Sequence, residues 1–475
     1  MKGEKAKMAT SRSAVRRIDM VGLTDIFSIQ RITEVCAQQV VARELVELGY
    51  RDVVPSKAGV EFRGRRVSDG YAANLWLRSA IRVLVLLAEG QLGTDPRGGV
   101  RGGQALYDMV YDAAPWHEIV PPGCTFSVEP RLWSCTDIFS TRLVWSRVKD
   151  AVCDNIRRYG REKPLPPARG QVADVPVYVS CYRDHVRVFR DMSGTSLHRR
   201  GYRDVMHRAA LNEAAAAGVL TLSGWKEAVD DAGGNGEGLI LADPMCGSGT
   251  ILIEAALMAR DIAPGFMRSL LLDDAPPTPS AAAVGVGLGG GGPGRGVGRR
   301  HAALAPAAWP FQRWGDYDSR VWSEAVETAR DRVRPPWRGR LLGVDVHEGA
   351  LSLAVRQAKK AGVYNMLELT HGDCGTVVPA ATPHLEAFLA AAWRSLDGFL
   401  YRQCPGASAT VLSGNASTYR YLKLRPQSKN RLVLSGVEVQ VASYKIRDSA
   451  SRNVPSSSAA ELSTTVATAE DARPS

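Results

Sequence analysis

Asp243, Gly247, Gly249 and Thr250 stand close together in "LILADPMCGSGTILIEAALMARDIAPG", which runs from Leu239 to Gly265. The short apolar run Leu239 to Ala242 predicts a buried strand. Thr250 to Arg260 carries apolar residues at helical spacing and stops before Pro264 and Gly265. The glycines therefore fall in a strand-to-helix turn, which aims backbone N–H groups and a helix N-terminus at a ligand; without a Cβ, glycine lets that ligand come close. A phosphate loop of the ATPase type needs Lys before the Thr, and here Gly249 holds that place. A dinucleotide fingerprint is only half present, and the Asp243 carboxylate would repel a pyrophosphate. A cationic ligand with a ribose and an adenine fits better, which points to S-adenosylmethionine, against the alternative of a tight turn that binds nothing.

Two further acids strengthen the ligand reading. "GRLLGVDVHEGALSLAVRQAKKAGV" predicts a strand ending at Asp345 and a helix over Leu351, Ala354, Ala358 and Ala361, and "LELTHGDC" predicts a strand ending at Asp373. Each acid alone is an ordinary turn residue or helix cap. Three at successive strand ends would converge on one crevice, because ligands of open α/β sheets bind at the carboxyl ends of the strands. Asp345 is placed for the ribose hydroxyls, Asp373 for the adenine amino group and Asp243 for the methionine end.

These strand ends need a sheet, and the chain has length for two or three domains: 475 residues, 45% hydrophobic and 23% charged. Lys plus Arg exceed Asp plus Glu, 60 against 49, a net charge of +11 that favours a polyanionic partner such as nucleic acid. The eight cysteines include no C-x-x-C pair, so no zinc ribbon or disulfide framework is indicated and a reducing compartment is expected. No apolar run reaches the length of a membrane span, so neither secretion nor a membrane is expected. The basic start "MKGEKAKMATSRSAVRRIDM" reads as a transit peptide or a frayed terminus, leaving cytoplasm or an organelle as the setting. Signatures for metal hydrolases, zinc deaminases and nucleophile elbows are missing, and no metal is expected.

Upstream, "FSIQRITEVCAQQVVARELVELGYRDVVPSKAGVEFRG" reads as strand, helix, turn and strand, with the helix closing at Gly49. "STRLVWSRVKDAVCDNIRRYG" reads as a helix with Val144, Val148, Ala151, Val152 and Ile156 on one face, and "DVPVYVSCYRDHVRVFRDMSG" as a hairpin. The cluster "LHRRGYRDVMHR" offers Arg199, Arg200, Tyr202 and Arg203 to phosphates and bases, or else is a solvated linker. Pro276 to Arg300 reads as a flexible insertion, and the tail after Arg447 as disordered.

Taken with "YAANLWLRSAIRVLVLLAE", "SLHRRGYR", "WPFQRW" and "VLSGN", the glycine segment carries a family pattern. From Phe27 to Tyr444 the chain resembles the THUMP-domain RNA methyltransferases, specifically those that methylate guanine N2 of large-subunit ribosomal RNA and their plant and algal relatives. The resemblance implies an α/β protein with a Rossmann-like S-adenosylmethionine-dependent methyltransferase domain, preceded by an α+β ferredoxin-like and THUMP region that grips RNA. It implies a basic N-terminus at 1–26, a ferredoxin-like module at 27–75, a THUMP domain at 76–196, a methyltransferase domain at 197–446 with an insertion at 270–305, and a tail at 447–475. Its first cofactor motif falls on Asp243, Pro244, Cys246, Gly247, Gly249 and Thr250, its second on Asp345 and its third on Asp373. Trp309, Pro310, Phe311 and Trp314 are expected to pack over the sheet edge.

One family feature is missing. The family withdraws the lone pair of the exocyclic amine from the ring with a loop of Asn or Asp, Pro, Pro, aromatic after its fourth strand. Between Thr382 and Trp393 this chain has only "PHLEAFLAAA", so no catalytic residue is assigned. Pro335 to Trp337 precedes the Asp345 strand and belongs to the wrong end of the sheet. Either a coding segment is lacking, or the chain is a relative that binds RNA without transferring methyl groups. Cys404 as a nucleophile is disfavoured by its expected place at a helix end.

Overall fold

The computed structural model describes residues 16–17, 25–30, 35–56, 59–92, 102–203, 211–273, 309–373, 393, 396–398, 400, 406–413, 416–434 and 437–446. Most of the insertion at 270–305, the tail after Arg447 and the segment 374–392 lie outside them.

The N-terminal half runs β1 (Arg16–Arg17), β2 (Asp25–Gln30), α1 (Val35–Glu47), β3 (Arg51–Ser56), β4 (Gly59–Gly64), α2 (Asp69–Trp76), β5 (Arg82–Gln91), α3 (Gly102–Ala113), α4 (Trp116–Ile119), β6 (Phe126–Trp133), α5 (Thr141–Arg158), β7 (Val175–Tyr182) and β8 (His185–Asp191). One eight-stranded sheet holds them in the order β3-β4-β2-β5-β8-β7-β6, with β1 against β5. Sequence explains the middle: "RVLVLLAE" in β5 is apolar at almost every position, as a strand covered on both faces must be, and it pairs with β2 on one side and β8 on the other. The expected hairpin is β7 and β8, joined through Arg183 and Asp184, both left-handed (φ 50° and 60°), as a two-residue turn of this twist requires. In α5 the Ser140 hydroxyl caps the first turn and all five predicted apolar positions are buried.

The second half runs α6 (Glu213–Leu222), α7 (Trp225–Asp231), β9 (Ile240–Asp243), α8 (Thr250–Ala259), α9 (Phe266–Asp273), α10 (Ser319–Asp331), β10 (Arg340–Asp345), α11 (Glu348–Lys360), β11 (Leu367–His371), β12 (Ser408–Ser413), β13 (Pro426–Leu434) and β14 (Val437–Lys445). It contains two three-stranded sheets, a parallel one ordered β11-β10-β9 and an antiparallel one ordered β12-β14-β13. Among the described residues no strand joins β9 to β12. The apolar run in β9, expected to be buried, is covered on one face only: Ile240 and Ala242 are exposed, and Leu241 and Asp243 are half-buried. The strand expected to end at Asp373 ends at His371.

The halves interlock. Trp309, Phe311 and Trp314, at and beside a turn of 3-10 helix (Pro310–Arg313), are buried in the core of the N-terminal half rather than over a sheet edge. Phe311 stacks on Tyr71 at 4.6 Å between ring centroids, and the Arg190 guanidinium lies 3.8 Å from the Trp314 ring while pairing with Asp316. Gly265 donates its N–H to the Leu75 carbonyl at 2.9 Å, and a Cβ there would sit 2.8 Å from the Asn74 carbonyl oxygen. That glycine is therefore where the two backbones touch. Among the described residues no helix is long and apolar enough to cross a membrane.

Candidate functional site

The parallel register sets Asp243 of β9 opposite Gly343 of β10, and Asp345 opposite His371 of β11, so the carboxyl ends of all three strands open on the same side. Between β9 and α8 the chain turns through Gly247 and Gly249, both left-handed (φ 54° and 73°), with Gly249 as the N-cap of α8. The two glycines do different things. A Cβ on Gly249 would press on the Ala354 Cβ at 3.0 Å, so this glycine lets the turn pack on α11. A Cβ on Gly247 would meet nothing within 4 Å: this glycine borders open space.

Asp345 holds the turn. One of its carboxylate oxygens accepts the Gly247 N–H at 2.8 Å and the other accepts the His347 N–H at 2.9 Å, while its carbonyl accepts from Gly372 at 3.0 Å. Each carboxylate oxygen keeps a second lone pair for a ligand. The Gly372 bond draws Asp373 to the same strand-end layer, although it lies two residues past β11. Asp243 accepts from the Met245 N–H at 3.3 Å. Burial, together with the like charge of Asp345, raises the Asp243 carboxyl to about 6. The same causes raise the Cys246 thiol to about 12, which makes it inert; its sulfur packs where a Cβ on Gly343 would lie, 3.1 Å away. Thr250 opens α8 and is buried, and Pro244 is half-buried in the turn.

The structure therefore brings Asp243, Pro244, Cys246, Gly247, Gly249, Thr250, Asp345 and Asp373 together at one end of the parallel sheet. Two carboxylates beside the open side of a glycine turn suit a cation with hydroxyl groups. Sequence reasoning missed Met245 and Val346, both half-exposed at the crevice; their signal was an apolar residue adjoining each motif. Trp337 packs on Trp225 and near Gly236, ahead of β10 and away from the crevice.

The basic cluster is corrected. Arg200 is 1% exposed and Tyr202 0%, so neither can meet RNA here. Arg200 donates to the carbonyls of Leu197 and Arg78 and lies 3.5 Å from Glu254; the Tyr202 hydroxyl donates to Glu254 at 3.0 Å. Arg203, its side chain equally enclosed, donates to the Leu211 carbonyl and the Thr250 hydroxyl and lies 3.7 Å from Glu213. Only Arg199 of the four is exposed. The cluster is a buried clamp on α8. Glu254, a lone acid inside the apolar run "TILIEAALMA", was the sequence signal for it.

Comparison with known proteins finds two matching stretches. Residues 200–381 match the family model described as "RMKL-like, methyltransferase domain", and residues 37–84 match the one described as "RlmL ferredoxin-like domain". Two separate stretches of the chain thus resemble these two domains. It is 29% identical over 425 residues to the ribosomal RNA large subunit methyltransferase K/L of Allochromatium vinosum, an alignment covering 85% of this chain and 50% of that protein. The chain thus spans about half the length of the curated relative it matches. A possible methylase from Clostridium difficile 630 superposes with a TM-score of 0.67 at 21% identity, over 90% of this chain and 98% of that one. SMU.472, solved in complex with SAH, gives 0.68 at 20% identity, over 90% and 99%. The fold is mixed α/β: a ferredoxin-like N-terminal domain and a methyltransferase domain, as the sequence implied.

The match at 200–381 begins at Arg200 of the clamp and takes in the glycine turn, β10 and β11. The clamp therefore falls in this matched stretch while its partner Arg78 belongs to the N-terminal half, which makes it a joint between the two.

Proposed function

We propose that the chain is an S-adenosylmethionine-dependent RNA methyltransferase acting on guanine N2 of large-subunit ribosomal RNA. The observation that carries this reading is the Gly247 turn, open on its ligand side and held from below by Asp345. The donor set fits the cofactor. An adjacent pair of carboxylates, one of them raised by its neighbour, would be relieved by a sulfonium and an ammonium, and the second lone pairs of Asp345 would take the ribose hydroxyls. When bound, the cofactor would supply an electrophilic methyl group. Asp243, Gly247 and Gly249 would hold its methionine end, Asp345 and Asp373 its nucleoside. Two relatives support the same reading, one named as an rRNA methyltransferase and one solved in complex with SAH.

For RNA, the N-terminal half offers a surface that the buried cluster cannot. Trp133 and Tyr182 are register partners on β6 and β7, both exposed, and the Arg183 guanidinium lies 5.3 Å from the Tyr182 ring. Side-by-side aromatics with a cation suit stacking on unpaired bases. We assign residues 27–75 to a ferredoxin-like module, 76–196 to a THUMP domain and 197–446 to the methyltransferase. An intracellular setting, cytoplasmic or organellar, goes with this reading.

A second reading has its own observation: among the described residues β9 and β12 are not bridged, and the amine-binding loop is missing from the sequence. It is an RNA- and cofactor-binding relative without transfer activity. One experiment separates the two. Cofactor binding is measured by calorimetry for the native chain and Asp345→Ala, and transfer of a labelled methyl group to ribosomal RNA is assayed in parallel. Binding weakened at least about tenfold by the substitution, equivalent to about 1.4 kcal/mol, supports the cofactor site. Transfer then supports the enzyme, and binding without transfer supports the relative. No binding by the native chain sinks both.

A further inference from the structure

Away from the strand ends, the N-terminal half holds two thiols in contact. Cys135 follows β6 by two residues and Cys181 is the last residue but one of β7. Their sulfurs are 3.2 Å apart, and the Cys135 sulfur is also 3.3 Å from the carbonyl oxygens of Trp133 and Cys181. The fold enforces this meeting. Trp133 pairs with Tyr182, and the Arg183 N–H donates to the Trp133 carbonyl at 3.1 Å, so the chain leaving β6 crosses the end of β7. Asp184 then fixes the loop, its carboxylate accepting the Thr136 N–H at 3.1 Å, the Thr136 hydroxyl at 2.6 Å and the Asp137 N–H at 3.1 Å. Cys181 is buried whereas Cys135 is part-exposed, so a solvent-borne oxidant meets Cys135 first.

We propose that Cys135 and Cys181 are a reversible disulfide site, oxidised by a low-molecular-weight disulfide, that fastens the loop after β6 to β7. With oxidised glutathione, the Cys135 thiolate displaces one glutathione thiolate and forms a mixed disulfide. Cys181 then displaces the second. The two cysteines lose two protons and two electrons, and one oxidised glutathione becomes two thiols. The sulfurs close from 3.2 Å to about 2.05 Å, a shift that rotation of the part-exposed Cys135 side chain can supply. Burial and the neighbouring sulfur hold the Cys181 thiol well above its ordinary value, so closure quickens as pH rises. A metal is the competing occupant, because the ligand atoms of Cys135, Cys181 and Asp184 lie within 4.8 Å of one another. Against it, Asp184 already accepts from the loop amides and hydroxyl, and a structural zinc site wants four ligands.

The test treats the native full chain with oxidised glutathione, alkylates the remaining thiols and maps the peptides by mass. The expected result is a Cys135–Cys181 cross-link, reversed by dithiothreitol, with a raised melting temperature because the bond closes a long loop. Cys181→Ser should instead accumulate glutathione on Cys135, since the resolving sulfur is gone, and Cys135→Ser should give neither product. The proposal is overturned if the native chain keeps glutathione on Cys135 without closing, or if both thiols stay reduced while Cys135 is alkylated. Protection of both thiols by zinc added to the reduced chain would also overturn it, in favour of a metal site.

Discussion

Asp243 and Asp345 stand in different surroundings at the strand ends. Asp345 spends one lone pair of each oxygen on a backbone amide, whereas Asp243 has one long bond and a like charge beside it. The carboxyl of Asp243 is raised from 3.8 to about 6, so the folded chain binds this proton more tightly than the unfolded chain does. Its contribution to stability is therefore complete below about 3.8, falls as pH rises, and is lost through about 6. Melting temperatures of the native chain and Asp243→Asn, compared across that window, should show the native chain losing ground as pH rises; parallel curves would refute the assignment. A cation bound beside Asp243 favours the ionised form, so cofactor binding below about pH 6 should release a proton, detectable as a buffer-dependent heat in calorimetry. The strand-end positions of Asp243 and Asp345 were legible in the sequence from their places behind apolar runs. The bond from Asp345 to Gly247 was not, since it spans 98 residues and only the parallel register brings them together.

At the scale of elements, α8 is held from two sides. Its first residue, Thr250, accepts from Arg203, and its buried Glu254 accepts from Tyr202 beside Arg200. Removing Glu254 leaves the enclosed Tyr202 hydroxyl without its acceptor and the Arg200 guanidinium without its counter-charge, a loss of about 3–5 kcal/mol for a broken buried pair. Glu254→Ala should therefore lower the denaturant midpoint sharply, and Glu254→Gln, which keeps an acceptor oxygen, should recover part of it. An unchanged midpoint for Glu254→Ala would show that the clamp contributes nothing. Gly265 is a second joint, because its Cα hydrogens face the backbone of α2. The sequence placed the basic cluster at a junction but left open whether it was wet or dry. Burial decided that, and burial belongs to the packing of two halves that no local pattern encodes.

For the whole molecule, the excess of 11 positive charges and the exposed Trp133 and Tyr182 suit a polyanion. RNA affinity should then fall steeply with salt, by at least about tenfold between about 50 and about 200 mM, through counterion release. Trp133→Ala should weaken binding by about 1–3 kcal/mol, as the loss of one stacked base would, and leave the salt slope almost unchanged. Binding indifferent to salt and to Trp133 would place the RNA elsewhere or remove it. The buried Trp309, Phe311 and Trp314 tie the second half to the first.

The sequence by itself determined what depends on neighbours along the chain. The glycine turn, the acids behind each apolar run, the face of α5 and the hairpin of β7 and β8 follow from spacing and from backbone conformations that few residues adopt. Tertiary structure alone decided what depends on distant residues. It turned Arg200, Tyr202 and Arg203 from candidate RNA contacts into a clamp, and sent Trp309 to Trp314 into the N-terminal core. It also set two thiols side by side from strands that the sequence separates. The physical reason is that hydrogen bonding in a turn is local, whereas burial and the pairing of charges are settled only when surfaces from both halves exclude water together.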